Sequence, residues 1–296
     1  MSDATTADVD VVVVAYNSAA SLEPCLRDLR TAPGVRLIVV DNHSPDASAE
    51  VARRLGADVL ALGVNGGFAH GCNAGWRHGD AQYVLFLNPD AEISAAALGR
   101  LVAELERDPR VGIAAPKILE QDGTLAFSQR HFPRRRSIFA QALFLHRVLG
   151  DASWTDELVR APEAYERRNE PDWVSGACML VRRTLLEELG GWDDGFFMYR
   201  EDIDLCKRAR AAGAGVRFVP DAVIGHEGGA SAPRAAMIPV LAESRVRYAR
   251  KHGGPGAALV ERLGVALHAL SHMVAARGGR SVRAGHVQAL RRAVSR

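Results

Sequence analysis

The sequence predicts an α/β fold with a mostly parallel central sheet flanked by helices. Short apolar runs alternate with segments of helical spacing through the first 115 residues, which is typical of βαβ crossovers. Polar residues follow the strands where each one ends, and in such sheets ligands bind at that edge. With 48% hydrophobic residues, the 296-residue chain has ample material for a buried core.

The elements of the first half are justified by short apolar runs and by 3.6-residue spacing. Strands are predicted at 10–15, which contains four consecutive valines, and at 37–40, 58–62, 83–87 and 111–115. Helices are predicted at 21–30, 46–55, 66–78 and 95–107, the third beginning as a glycine-rich loop. This half is expected to bind a nucleotide.

The second half has a weaker pattern at first. Residues 118–171 are predicted to be a segment inserted over the sheet, with a helical stretch at 137–149. Strands are then predicted at 173–181 and 216–220, and helices at 184–189 and 201–212. From about residue 239 the chain is predicted to be helical and basic.

Composition limits the function classes. A net charge of +2 predicts no nucleic-acid partner, and four cysteines without a CxxC pair indicate a reduced, cytoplasmic protein. No signal peptide or membrane-spanning run is expected. After Glu261 the chain has seven arginines and no acid, with apolar residues between them. A helix there would either lie on an anionic membrane surface or pack on the catalytic domain or on a second subunit in a homodimer.

An acidic turn follows the fourth predicted strand. Asn88 and Pro89 end the strand, and Asp90 and Glu92 follow. Carboxylates at the end of a buried strand suit a hard divalent cation that holds a diphosphate. The alternative is an ordinary Asx-Pro turn with solvated acids.

Other polar residues are expected to meet in the same crevice. Tyr16 and Asn17 follow the first strand, and Asp41 ends the second, where its carboxylate could bind a base or ribose. The stretch 65–75 is glycine-rich and leads into a helix, which suits an anionic ligand. The candidate ligand residues within it are Asn65, Gly67, Phe68 and Asn73. Neither G-x-G-x-x-G nor a P-loop is present.

A third group of residues combines aromatic side chains with acids. Aromatics between 192 and 199 lead into Glu201, Asp202 and Asp204 at the start of a helix, whose dipole is expected to keep them ionised. An ionised carboxylate beside a substrate hydroxyl is a candidate general base. Helix capping is the alternative. Further candidates for acceptor contacts are Trp173, Ser175, Gly176 and Arg134, the last for a phosphate.

Together these motifs resemble glycosyltransferase family 2, the inverting enzymes with the GT-A fold, over about residues 9–231. The matching segments are Val-Val-Ala-Tyr-Asn at 13–17, Val-Asp-Asn-His-Ser at 40–44, Asn-Gly-Gly-Phe-Ala-His-Gly-Cys-Asn at 65–73, Leu-Asn-Pro-Asp-Ala-Glu at 87–92, Val-Ser-Gly-Ala-Cys-Met-Leu-Val-Arg-Arg at 174–183 and Gly-Gly-Trp-Asp-Asp-Gly-Phe-Phe-Met-Tyr-Arg-Glu-Asp-Ile-Asp-Leu at 190–205. The pattern is most similar to the rhamnosyltransferase branch.

The resemblance implies a role for individual residues. Tyr16, Asn17 and Asp41 match nucleotide-binding positions. Asn88 and Asp90 match the ends of the family's Asp-x-Asp element, with Asn in place of the first Asp, and Glu92 is a possible helper. Asp202 matches the catalytic base, and His226 matches a metal ligand. With Asp90, His226 would hold Mg²⁺ or Mn²⁺, and one displacement would invert the anomeric carbon.

The resemblance also implies partners and domains. The favoured donor is dTDP-rhamnose, with galactofuranose and other hexoses left open as the transferred sugar. The expected acceptor is a glycan or a polyprenyl-diphosphate-linked saccharide at the cytoplasmic face of the inner membrane. A catalytic domain is expected over 1–235, with its nucleotide-binding half at about 8–116 and its acceptor half at about 117–235, and a helical basic extension over 236–296. The competing functions are a sugar-1-phosphate nucleotidyltransferase and a non-catalytic sugar-nucleotide-binding protein.

Overall fold

The computed structural model describes residues 8–149, 154–227, 234–274 and 279–294. Its strands are β1 (Val9–Ala15), β2 (Val35–Asp41), β3 (Asp58–Ala61), β4 (Tyr83–Leu87), β5 (Ala91–Glu92), β6 (Val111–Glu120), β7 (Gln129–Arg130), β8 (Trp173–Val174), β9 (Cys178–Arg182) and β10 (Gly215–His226). Eight of them form one sheet in the order β3-β2-β1-β4-β9-β6-β10-β5, and β7 pairs with β8 separately.

The sheet is parallel from β3 to β4 and mixed beyond β4. Strands β3, β2, β1 and β4 run parallel, as do β6 and β10. Strand β9 runs antiparallel to both β4 and β6, and β5 runs antiparallel to β10. The predicted single strand at 173–181 is therefore wrong, because the chain breaks at residues 175–177 and separates β8 from β9.

Helices cover both faces of the sheet, as the near-continuous apolar strands require. They are α1 (Leu22–Leu26), α2 (Ser48–Arg54), α3 (Phe68–His78), α4 (Ala95–Arg107), α5 (Arg135–Ala142), α6 (Leu145–Val148), α7 (Arg183–Leu189), α8 (Glu201–Ala211), α9 (Arg234–Val274) and α10 (Arg280–Val294). The hydrophobic core on one face includes residues of α1, α2 and α4, and the core on the other includes residues of α3, α7 and α8.

Strand β10 is longer than the sequence predicts. The predicted strand ends at Pro220, which lacks the N–H that a regular ladder needs. A break in the register between Val219 and Val223 accommodates the proline, and the strand continues to His226. His226 then pairs with Ala91 of β5, one residue from Asp90.

The C-terminal helices pack on the rest of the chain. Helix α9 is kinked at Gly254, whose φ of 73° lies in the left-handed region, and Pro255 begins its second half. Gly264 approaches Ile138 of α5 so closely that a Cβ would lie 2.1 Å from its side chain, and the Ser271 hydroxyl donates to the Ala142 carbonyl over 2.7 Å. A small core joins α9 to α10 through Ala242, Val265, Ala289 and Ala293.

The structure bears on the predictions about membrane-spanning helices and about the cysteines. Across the described ranges, we find no helix with the length and apolar character needed to cross a bilayer. All four cysteines are buried thiols. The apolar residues in the second half of α9 are divided, because Val265 and Ala269 are buried while Leu259, Leu263 and Leu270 are exposed.

Candidate active site

The carboxyl ends of three neighbouring strands bring the predicted nucleotide ligands together. Ala15 of β1 lies level with Asp41 of β2, and Val13 lies level with Leu87 of β4. Tyr16 is exposed beyond this edge, and Asn17 adopts a left-handed conformation with φ of 54°. The buried Asp41 carboxylate accepts a hydrogen bond from the Ser44 amide over 3.3 Å.

The Asn42 side chain holds the glycine-rich loop through three hydrogen bonds. Its Nδ2 donates to the Asn65 Oδ1 (2.9 Å) and to the Gly67 carbonyl (3.1 Å), and its Oδ1 accepts from the Gly66 amide (3.1 Å). Gly67 has a φ of 89°, and a Cβ there would lie 2.1 Å from the Phe197 carbonyl oxygen. That oxygen accepts from the Phe68 amide over 2.9 Å. The glycine-rich loop at 65–68, the predicted donor loop, is therefore fixed to the segment that precedes α8.

Asn73 has a different place from the one predicted. Its side chain is buried, and its Nδ2 donates to the Trp192 carbonyl over 2.8 Å. Its Oδ1 accepts from the Trp192 amide and from Trp76 Nε1, each over 3.0 Å. Because these bonds lie within the protein, the placement supports a structural role between α3 and the loop at 192 and does not support the predicted contact with the nucleotide.

Asp90 and His226 face each other at the predicted metal site. Their Oδ1 and Nε2 atoms lie 3.2 Å apart, and Asn88 Nδ2 lies 3.4 Å from the same ring nitrogen. Burial by itself lowers the pKa of His226, but the Asp90 carboxylate outweighs burial and raises it. Glu92 is not placed here, since it lines a separate cleft with Arg27, Asp28 and Val223. Its predicted helper role therefore lacks support from the geometry.

A metal ion at this position would need ligands besides protein side chains. Among the described residues, no group of three or more His, Cys, Asp or Glu side chains converges as a metal site. Mg²⁺ is commonly held by one or two carboxylates together with water and substrate phosphates. A donor set of one carboxylate and one imidazole therefore fits an ion that is completed by a bound nucleotide.

A short loop, residues 175–177, connects Asp202 to the predicted metal site. Its Oδ2 accepts from the Gly176 amide over 3.2 Å, and its Oδ1 accepts from the Ile203 amide over 2.8 Å. The next residue, Ala177, accepts from the Asn88 amide over 2.9 Å through its carbonyl. Residues 175–177 thus contact both the base candidate and the acidic turn, which makes the two predicted clusters one site.

The two adjacent acids do not behave as the helix dipole predicts. Burial and the negative charge of Asp202 raise the pKa of Glu201 to about 8, and Glu201 Oε2 has no hydrogen-bond partner among the described residues. The raised pKa of Glu201 argues against the expectation that this acid is ionised at neutral pH. Burial also raises the pKa of Asp202, while two backbone amides and the charges of Arg130 and Arg200 oppose the shift. Asp202 remains the candidate base.

Three charged residues near the base were not predicted. Arg200 forms a two-pronged ion pair with Glu157 at 2.8 and 3.0 Å, and its own φ of 70° is left-handed. Arg130 lies over the Trp173 ring with its Cζ 5.3 Å from the centroid.

The predicted acceptor residues Trp173 and Ser175 bond to the chain at 128–131. The buried Trp173 donates from Nε1 to the His131 carbonyl, and the Ser175 amide donates to the Ser128 carbonyl. No local sequence pattern links these distant partners.

Two other predicted acceptor contacts are placed elsewhere. Asp204 is fully buried and accepts from Arg208, Lys251 and His252 at 2.7 to 2.8 Å. Burial raises its pKa, but these three partners outweigh burial and lower it to about 2. Arg134 is exposed beside the first turn of α5. The geometry gives Asp204 an anchoring role, and within the described ranges Arg134 forms no hydrogen bond or ion pair with the site residues.

Glu201→Gln is expected to change how stability depends on pH. In the wild type the folded-state pKa of about 8 exceeds the ordinary value of 4.5, so folding binds a proton and stability falls as pH rises between these values. The Gln variant should lose that fall. Urea unfolding from about pH 6 to about pH 9 measures it. Equal slopes in both proteins would show that Glu201 is ionised in the fold.

Comparisons with known proteins agree with the fold and the motifs. A model of "Glycosyl transferase family 2" matches residues 10–190. The chain is 32% identical over 267 residues to the N-acetylglucosaminyl-diphospho-decaprenol L-rhamnosyltransferase of Mycobacterium tuberculosis, covering 82% of this chain and 85% of that protein. It is 26% identical to the Escherichia coli rhamnosyltransferase WbbL, covering 72% and 80%.

A solved structure extends the comparison to the fold. The mannosyltransferase PcManGT from Pyrobaculum calidifontis, in complex with GDP-Man and Mn²⁺, superposes with a TM-score of 0.58 at 17% identity, covering 98% of this chain and 88% of that one. The predicted GT-A fold is confirmed, and the chain is a glycosyltransferase that resembles rhamnosyltransferases. It belongs to glycosyl transferase family 2.

Proposed function

We propose that this glycosyltransferase moves L-rhamnose from dTDP-rhamnose to the N-acetylglucosamine of a polyprenyl-diphosphate-linked saccharide, with inversion. The observation that carries the proposal is the loop at 175–177, which contacts Asn88 on the donor side and Asp202 on the acceptor side. The similarity to the mycobacterial rhamnosyltransferase over most of both chains supports the choice of donor and acceptor.

Different residues of the site bind the nucleotide and accept the proton of the acceptor in this proposal. Tyr16, Asn17 and Asp41 line the strand ends where the nucleotide would bind, and the loop at 65–68 closes beside them. Asp202 would accept the proton of the attacking hydroxyl while Gly176 and Ile203 orient its two oxygens. The positive charges of Arg130 and Arg200 favour the ionised form of Asp202 that this step requires.

Asp90 and His226 would hold a divalent ion, Mg²⁺ or Mn²⁺. Such an ion, when bound, supplies positive charge for the diphosphate of the donor. The Asp90–His226 contact of 3.2 Å keeps the two ligands together at the end of β10.

Purified protein tests the proposal directly. Incubation with dTDP-rhamnose, Mn²⁺ and polyprenyl-diphospho-N-acetylglucosamine should release dTDP and lengthen the acceptor by one deoxyhexose, as mass spectrometry would detect. Release of pyrophosphate would favour the nucleotidyltransferase. Binding of the donor without turnover of any acceptor would favour the non-catalytic protein.

Asp90→Ala is expected to lower donor affinity only when a divalent ion is present. The reason is that the carboxylate acts on the nucleotide through the ion. Calorimetric titration of dTDP with and without Mn²⁺ measures the difference, and chelation should abolish transfer. Glu92→Ala is the matched control, because Glu92 lines a different cleft and should bind dTDP as the wild type does. Full activity after chelation would contradict the metal role.

The exposed apolar residues of α9 support peripheral contact with the cytoplasmic membrane surface. Leu259, Leu263 and Leu270 are 59%, 56% and 47% exposed, and arginines flank them along the tail. Replacing all three with serine should reduce binding to anionic vesicles and leave the melting temperature unchanged. Unchanged vesicle binding would reject this contact, and a change from dimer to monomer would assign the leucines to a homodimer instead.

A further inference from the structure

An arginine-lined cavity lies between the C-terminal helices and the loop before α8. Its volume is about 540 Å³, and its walls are residues 195 and 197, both halves of α9, and the end of α10. Four arginines line it against a single acid, Glu243; they are Arg247, Arg250, Arg262 and Arg292. The charge of its wall therefore favours an anionic ligand.

Two of the four arginines are already engaged. Arg247 pairs with Asp193 over 2.9 Å and lies across the Phe196 ring, and the absence of a side chain at Gly195 makes room for it. Arg292 pairs with Glu243 over 2.7 Å. These two arginines form the frame of the cavity.

The other two arginines carry charge that the described residues do not balance. Neither Arg250 nor Arg262 forms an ion pair with any residue of the described ranges, and Arg262 Nε is buried without a hydrogen-bond acceptor there. An unsatisfied buried donor is costly, and the cost is relieved when a ligand supplies an acceptor. Guanidinium groups suit phosphate oxygens because they donate two parallel hydrogen bonds.

The cavity shares a wall with the candidate active site. The carbonyl of Phe197, a cavity residue, accepts from the donor-loop amide of Phe68 over 2.9 Å. The next carbonyl, that of Met198, accepts from the Ser244 hydroxyl over 2.8 Å, and α8 with Asp202 begins three residues later. The cavity therefore borders the 195–198 segment that contacts the glycine-rich loop and leads into α8, and its lining does not include the strand-end residues proposed to bind the donor.

We propose that this cavity binds the diphosphate of the acceptor substrate through Arg250 and Arg262, an assignment that rests on the proposed function. In a diphosphate-linked sugar, one ring separates the accepting hydroxyl from the diphosphate. The hydroxyl must reach Asp202 while the diphosphate stays clear of the donor. Exposed Leu259 and Leu263, on either side of Arg262 in the sequence, offer apolar surface to the polyprenyl chain.

Acceptor kinetics of the full-length chain test the assignment. Arg250→Ala combined with Arg262→Ala should raise the KM for a short-chain polyprenyl-diphospho-N-acetylglucosamine about 10- to 100-fold, because each charge-assisted hydrogen bond is worth about tenfold in affinity. The KM for the donor, and turnover of an alkyl N-acetylglucosaminide that lacks phosphate, should not change. Arg291→Ala, an exposed arginine of α10 outside the cavity, is the matched control. Equal effects on both acceptors, or no effect, would overturn the assignment.

Two binding measurements separate the possible sources of the anion. With dTDP saturating the donor site, pyrophosphate should bind the wild type and not the double variant. If no acceptor is turned over but this difference is seen, the proposed function is wrong and the anion site stands; equal binding overturns the site. If the double variant loses binding to anionic phospholipid vesicles but keeps its acceptor KM, the cavity binds lipid headgroups and the proposal is wrong.

Discussion

Asp202→Asn is expected to abolish sugar transfer while leaving the fold and donor binding intact. The amide keeps an oxygen that accepts a hydrogen bond, so one of the contacts to Gly176 and Ile203 survives at nearly unchanged volume. It cannot take a proton from the acceptor, and loss of a general base commonly costs about 10²- to 10⁴-fold in rate. Turnover under saturating donor and acceptor measures the loss, and thermal melting with dTDP checks folding and binding.

Asp194→Asn is the control for this experiment. Asp194 is an exposed acid in the same approach to α8, so the same change of charge should leave turnover unaffected. A folded Asp202→Asn protein with near-normal turnover would contradict the assignment. The role of base would then pass to Glu201, the adjacent buried acid with the raised pKa.

Asp204→Asn is expected to destabilise the fold rather than to slow chemistry directly. Asp204 is fully buried and binds Arg208 and Lys251 at 2.7 Å and His252 at 2.8 Å. A neutral amide leaves those basic groups without their common partner, and breaking a buried ion pair by removing one partner costs about 3–5 kcal/mol. Urea unfolding at neutral pH measures the loss.

The same carboxylate should make the wild type sensitive to acid. Its folded-state pKa of about 2 lies below the ordinary value of 3.8, so its contribution to stability is present above the ordinary value and is lost as pH falls towards about 2. The Asn variant should lack this part of the acid transition. Asp58→Asn is the control, because its partly exposed pairs with Arg36 and His78 should each contribute about 0–1 kcal/mol. Equal losses at both sites would contradict the anchoring role.

Local patterns were sufficient for the first half of the fold. Four valines and the apolar runs ending at Asp41 and Leu87 predicted the parallel strands, since such strands are buried on both faces. Strand β9 was harder, because its direction depends on a break at 175–177 that the apolar pattern does not mark. The end of β10 was not predicted, because a proline such as Pro220 ordinarily ends a strand. The register shift between Val219 and Val223 lets β10 continue past it.

The candidate site was also predictable only where local sequence patterns mark its residues. Asp90, His226 and Asp202 could be predicted as candidates from motifs, because each stands near the end of a strand or at the start of a helix. Asp202 and Asp204 look alike in the sequence, but Lys251 and His252 reach Asp204 from α9, whereas Asp202 accepts from the Gly176 amide. The Arg200–Glu157 pair joins residues 43 positions apart, and local sequence carries no signal for a contact of that length.

Helix α9 braces the segment that carries the base, and this has a consequence for engineering. Ser244 bonds to Met198, Arg247 and Lys251 bond to Asp193, and Lys251 and His252 bond to Asp204. A chimaera that grafts another family member's C-terminal helices onto this catalytic core would remove the basic partners of two acids beside the active site. Successful exchange of acceptor preference between relatives would therefore require transplanting 193–204 and 244–252 together, as one co-inherited block.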